Sequence, residues 1–227
     1  MNINTIEQFY FRHPFTMLLS GASKRARQHS FKKFYVRPGG GLVRAPPTSI
    51  IYCYSRWQEI YDEIKSGSPS GAATFNAPRL LFQEGLPDIE NIDPSQNTLL
   101  VLDDLMDQCA RDPSILNLFT TDSHHKSVSV IFVTHNVFSN YKHFRTISLN
   151  CQYIILLNSP RDKLQITNLG RQMFPGNSAF FSRAYDDAVT SKHYGYLLVD
   201  LTQETNAENR VQTGVLAGEE RIIYRTR

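Results

Sequence analysis

An α/β fold with a mostly parallel central sheet, held between helices in three layers, is the class this sequence predicts. Short apolar runs alternate along the chain with amphipathic or polar stretches, the rhythm of βα units. One run is decisive. In 98–104 (TLLVLDD) four apolar residues, Leu99 to Leu102, lead straight into two carboxylates, Asp103 and Asp104. A run so short and so apolar reads as a strand buried on both faces. Charges do not belong inside such a sheet, so the pair falls at its C-terminal edge, where open α/β sheets bind ligands.

The other elements follow in order. Strands are expected at 15–20 (FTMLLS) and 49–54 (SIIYCY). A helix over 56–65 carries Trp57, Ile60, Tyr61 and Ile64 at helical spacing. Residues 66–73 (SGSPSGAA) have the composition of a flexible loop, and 79–82 suits a short extra strand. After the acid strand, 105–121 reads as helical with a break near Asp112-Pro113. Further strands are expected at 128–134 (VSVIFVT), 153–158 (YIILLN) and 196–201 (YLLVDL), with helices over 162–173 and 178–190. The length of 227 residues suits one domain, assigned to 1–203. A polar tail over 204–227 is expected to be partly disordered.

Hydrophobic residues at 41% and charged residues at 20% are ordinary for a globular chain. Nothing approaches a membrane span, and the opening MNINTIEQFYFRHPF lacks the apolar run of a signal peptide, so a soluble intracellular protein with no membrane partner is expected. Cys53, Cys109 and Cys151 have no metal-like spacing and fit small buried thiols. Eight basic residues and no acidic one lie from Arg12 to Arg44: Arg12, Lys24, Arg25, Arg27, Lys32, Lys33, Arg37 and Arg44. Such a run either attracts phosphates or forms a solvated helix face.

Two adjacent acids at a strand end suit a nucleoside-triphosphatase. Asp103 would hold Mg²⁺ through its water shell, and Asp104 would polarise the attacking water. Their usual counterpart is a phosphate loop spelled GxxxxGK[ST], whose backbone N–H groups, Lys and hydroxyl cradle the phosphates and the metal. After the first strand the chain reads Gly21-Ala22-Ser23-Lys24-Arg25-Ala26-Arg27-Gln28. Gly21 stands, whereas Ala26 takes the second Gly position, Arg27 the Lys position and Gln28 the hydroxyl position. Ala26 adds a Cβ where backbone and phosphate come close, and the planar fork of Arg27 is no compact ammonium. Lys24 is an alternative cation within the loop. Thr134-His135-Asn136 ends the strand expected between the loop strand and the acid strand, so His135 either touches a γ-phosphate or serves the turn. His124-His125 fits a helix–strand loop better than a metal site. Arg145, Arg161 and Arg171 are surface arginines that an oligomer would turn into trans-acting fingers.

The order of these pieces resembles the genome-packaging ATPases of large DNA viruses and of Polinton/Maverick elements, in the FtsK–HerA superfamily of P-loop NTPases. The segments that carry it are HPFTMLLSG, IIYCYSRWQEIYDEI, FQEGLPDI, LLVLDDLMDQ, LFTTDSHHKSVSVIFVTHNVF, RTISLNCQYIILLNSPRD, QITNLGRQMFPGN and YGYLLVDL. The resemblance implies that Asp103 and Asp104 are the Walker B acids and that His135 stands where the family usually has Gln. It further implies ATP and Mg²⁺ as cofactors, a homo-oligomeric ring, double-stranded DNA and capsid proteins as partners, and a place in the host nucleus or cytoplasm or with the virion. The altered loop predicts impaired ATP hydrolysis. The alternative is a non-catalytic relative that binds DNA or capsid protein as a scaffold.

Overall fold

The computed structural model describes residues 8–22, 24–35, 42–66, 78–109, 111–138, 143–161 and 163–226; the side chains of Lys24, Gln28, Lys32, Tyr35 and Ile60 are not among those described. The loop expected at 66–73 lies almost wholly outside them. The chain runs through β1 (Phe11–Arg12), β2 (Thr16–Ser20), α1 (Lys24–Tyr35), β3 (Val43–Arg44), β4 (Ser49–Tyr54), α2 (Glu59–Ser66), β5 (Arg79–Glu84) and β6 (Thr98–Asp103). It continues through α3 (Met106–Cys109), α4 (Pro113–Asn117), α5 (Ser123–His125), β7 (Val128–Thr134), α6 (Phe144–Leu149) and β8 (Tyr153–Leu157). The last elements are α7 (Lys163–Met173), α8 (Ser178–Thr190), β9 (Tyr196–Asp200), β10 (Val211–Thr213) and β11 (Ile222–Tyr224).

Nine strands form one sheet in the order β11-β10-β9-β8-β2-β7-β6-β4-β5. From β8 to β5 every neighbouring pair is parallel, and β9, β10 and β11 are added antiparallel. Every residue of β2, β6, β7 and β8 is buried, which is why these strands read as unbroken apolar runs. Side chains alternate between two cores. Leu18, Leu100, Leu102, Val130 and Phe132 face α4 and α6–α8, whereas Met17, Leu19, Leu99, Val101 and Val133 face α1 and α2. The helical stretch expected over 105–121 breaks at Asp112-Pro113, as its sequence predicts. Asp112 accepts from the Ser114 amide at 2.8 Å with Pro113 at the first turn, starting α4 anew, and a π-helical turn over Leu118–Asp122 leads into α5.

Two sequence expectations change here. The polar segment after residue 203 contributes β10 and β11 to the same sheet. Its polarity conceals the strands because each has three residues and is held by pairing with β9 or with its neighbour. Gly214, at φ 70°, turns the chain back where a Cβ would strike the Glu220 carbonyl. Beyond it, Glu219 is a buried hub that accepts from Lys33 of α1 at 2.9 Å, from Lys192 at 3.0 Å and from the Tyr196 hydroxyl at 2.7 Å. The basic run is likewise no single solvated face. Arg27 is buried, Lys33 pairs with Glu219 and Arg12 pairs with Glu204. No helix among the described residues is long and apolar enough to cross a membrane.

Burial pushes the Glu219 carboxyl up, but its hydrogen bonds from Lys33, Tyr196 and Lys192 outweigh that and hold it below the usual range. A depressed carboxyl stabilises the fold above its unfolded value and loses that contribution as pH falls through its folded value. Glu219→Gln is therefore expected to cost about 2 kcal/mol at pH 7. The deficit should vanish in acid below the carboxylate range, as read by thermal melts across pH.

Candidate functional site

The loop after β2, the acids ending β6 and the triplet ending β7 meet at one sheet edge, because β7 lies between β2 and β6. The ladder runs on into the loop, with the Gly21 amide donating to the Thr134 carbonyl at 3.1 Å. A Cβ on Gly21 would sit 2.5 Å from Cβ of Leu157, so packing against β8 alone requires glycine there. Ser23 and the side chains of Lys24 and Gln28 lie outside the described residues.

Asp103 alternates onto the side of the sheet that Leu99 and Val101 share with α1 and α2. Its carboxylate is 1% exposed. Oδ2 accepts from the Tyr52 hydroxyl at 2.7 Å and from the Tyr61 hydroxyl at 2.8 Å, and Oδ1 is buried without a partner among the described residues. Burial raises the Asp103 carboxyl above its ordinary range, and the two phenols only partly oppose this. Burial, then the Asp103 charge, pushes both phenols well above their usual value, so they remain donors. The sequence alone did not single out these tyrosines as partners of Asp103. The available signal was Tyr52 itself, whose hydroxyl must find a partner inside a buried strand.

Asp104 turns the opposite way. Its φ of 56° places it in the left-handed region that Asp tolerates. Its side chain reaches Arg27, which is 1% exposed and comes from the first turn of α1. Nη1 of Arg27 donates to the Gly21 carbonyl at 2.6 Å and to Nδ1 of His135 at 2.8 Å. Nη2 lies 3.4 Å from both Asp104 oxygens. Guanidinium nitrogens only donate, so His135 Nδ1 accepts, which assigns the ring proton to Nε2 facing Asp104 Oδ1 at 3.0 Å. Arg27, Asp104 and His135 thus form a closed charge-assisted triangle that joins the ends of β2, β6 and β7. Thr134 and Asn136 serve the turn, with the Asn136 amide donating to Thr134 Oγ1 at 3.3 Å.

The cavity lined by Gly21, His135 and Ser159 measures about 10 Å³, whereas small-molecule sites run to several hundred. A Mg²⁺ ion here would stand against a guanidinium and would share Asp103 with two phenols. The side chains described do not fit a Mg–nucleotide complex. No group of His, Cys, Asp and Glu suited to a metal occurs among them, His124 and His125 included. Arg145 on α6 and Arg161 after β8 are exposed, outside the triangle, as is Arg171 on α7. The thiols are buried, with Cys53 and Cys109 pushed up to about 12 by burial.

Among solved structures, this fold is similar to the genome packaging NTPase B204 from Sulfolobus turreted icosahedral virus 2. With sulfate bound, that protein superposes with a TM-score of 0.54 at 15% identity, over 88% of this chain and 95% of that one. Its complex with AMP gives 0.53 at 14% identity, over 85% and 95%. The fold is that of a P-loop NTPase. No family model matches the chain, and no curated protein matches it.

Burial disfavours the charged form of Asp103 in the fold, so at pH values between its unfolded and its raised folded value the native protein binds more protons than the unfolded chain. Stability is then lost as pH rises from the unfolded carboxyl value through the raised one, at up to about 1.4 kcal/mol per pH unit. Asp103→Asn removes this titration. Its melting temperature relative to wild type should increase with pH over that window; a difference independent of pH would refute the assignment.

Proposed function

We propose that this is a packaging-ATPase-like protein, of the type found in DNA viruses and Polinton/Maverick elements, whose nucleotide edge no longer turns over ATP. It acts by binding, as a ring-forming associate of double-stranded DNA and capsid protein. The observation that carries this reading is the buried guanidinium of Arg27. It stands at the loop position that is Lys in GxxxxGK[ST], and its Nη1 and Nη2 are held by the chain's own Gly21 carbonyl, His135 and Asp104, while Nε is buried without a partner among the described residues. A phosphate taking the Nη groups of that guanidinium would have to compete with these contacts. The similarity to B204 and the order of segments along the chain support the packaging part of the proposal.

Gly21, Asp103 and Asp104 are, on this reading, retained for architecture: close packing on β8, the tyrosine pair, and the Arg27 triangle. The exposed arginines Arg145 and Arg161 are left for subunit or DNA contacts. Losing the Lys and hydroxyl contacts to charged oxygens, at about 1.5–3 kcal/mol each, lowers nucleotide affinity about a hundred- to ten-thousandfold.

Wild-type protein is expected to release no phosphate from Mg-ATP above the uncatalysed rate, and Asp104→Ala to leave any ATP affinity unchanged. The triple variant Ala26→Gly, Arg27→Lys, Gln28→Thr is expected to gain ATP binding tighter than about 1 mM. Adding Asp104→Ala to it should remove that binding. Wild-type turnover that disappears in Asp104→Ala would overturn the proposal.

A further inference from the structure

A cavity among the described residues lies at the other end of the strands. It measures about 700 Å³, within the range of small-molecule sites, and lies where β1 and β3 meet the residues after β9. Five residues of β2, at about 3.3 Å each, separate this edge from Gly21. The two sites share no residue.

Its charge arrangement calls for an anion. β1 and β3 pair in parallel, with Arg12 opposite Arg44. Phe11 and Val43 are buried, so both arginines project to the other side and line the same cavity. Neighbouring strands lie about 4.8 Å apart, and like charges held directly opposite destabilise a ladder. Glu204 answers Arg12 at 3.5 Å, but both side chains are about half exposed or more, at 50% and 59%. Arg44 has no carboxylate partner among the described residues. A third guanidinium, Arg221, is aimed at the cavity by Nε donating to Gln212 Oε1 at 2.7 Å and by lying 5.4 Å over the Phe9 ring. Asp200, the second acid of the lining, still leaves the three guanidiniums one positive charge in excess of the two carboxylates. Its oxygens are turned inward to the amide and hydroxyl of Thr202 at 3.0 and 2.7 Å and to the Thr205 hydroxyl at 2.8 Å. The ring of Tyr10, 41% exposed, completes the wall.

We propose that this cavity binds a phosphate monoester of mononucleotide size, with the phosphate between Arg12 and Arg44. A monoester carries nearly two negative charges at neutral pH and matches two adjacent forks, each able to grip oxygens in pairs. A phosphodiester or a carboxylate has fewer anionic oxygens to share between the two forks. The volume admits the sugar and base, and Tyr10 supplies a face for the ring. The site stands independently of the reading given to the Arg27 edge.

Calorimetry on the intact chain at low salt tests it, with AMP, inorganic phosphate and adenosine as probes. AMP is expected to saturate with a Kd on the order of 0.1 mM, and adenosine to give no saturable heat. Phosphate alone binding as tightly as AMP would place the recognition in the arginines, and tighter AMP would add the base; either supports the site. Arg12→Gln with Arg44→Gln, both exposed substitutions, should raise the Kd for AMP at least about tenfold, and Arg44→Gln alone should raise it less. Asp104→Ala should change nothing. Absence of saturable AMP and phosphate binding up to ~10 mM, or an unchanged Kd in the double variant, would overturn this site alone. AMP binding abolished by Asp104→Ala and spared by the arginine variants would overturn both this site and the closed nucleotide edge.

Discussion

A charged guanidinium survives burial only if anions and acceptors are brought to it. Arg27 meets that condition by gathering the ends of three parallel strands. The Gly21 carbonyl comes from β2, Asp104 from the end of β6 and His135 from the end of β7. Each contributor has a local conformation fitted to the task. Gly21 passes close to β8, Asp104 adopts a left-handed backbone, and His135 projects from a turn held by Thr134 and Asn136. The edge of the sheet where such folds place phosphates is here occupied by the protein's own cation.

The two neighbouring acids solve one electrostatic problem in two ways. Side by side in sequence, they would repel if they faced one volume. Strand alternation sends Asp103 inward to two phenols, and the positive φ of Asp104 sends it across the strand ends to Arg27. The tyrosine solution is incomplete, since one carboxylate oxygen stays unpaired and burial dominates. The arginine solution is long, at 3.4 Å, and is strengthened by the shorter bonds to Gly21 and His135.

Much of this was legible in the sequence. The strands at Ser49–Tyr54, Thr98–Asp103 and Val128–Thr134 were bounded correctly because burial, on both faces in β6 and β7, leaves an unbroken apolar run. The expected placement of β7 between the loop strand and the acid strand is the order found. What failed was set by partners far away. β10 and β11 are polar or short and exist because β9 pairs with the first of them. At the site, Gly21, Arg27, Asp103, Asp104 and His135 were all singled out, but not that Arg27 would turn inward upon the others. Periodicity reports which side of an element is apolar and says nothing of which polar tips meet. Tyr52 and Tyr61 escaped notice for that reason, looking like ordinary members of an apolar stripe.

The central position of β2 has a consequence for how the chain comes to be folded. The strand made first lies between two made much later. Phe15 bonds Ser129 and Thr16 bonds Gln152, separations of 114 and 136 residues along the chain. Loop closures of that length make parallel sheets slow to form. At ribosomal speeds β2 waits roughly 7–27 s for β8 to be synthesised, with one hydrogen-bonding edge open throughout and the other open until β7 is made. The nascent chain must therefore be shielded through most of its own synthesis, and the need falls hardest on the segment that ends in Gly21.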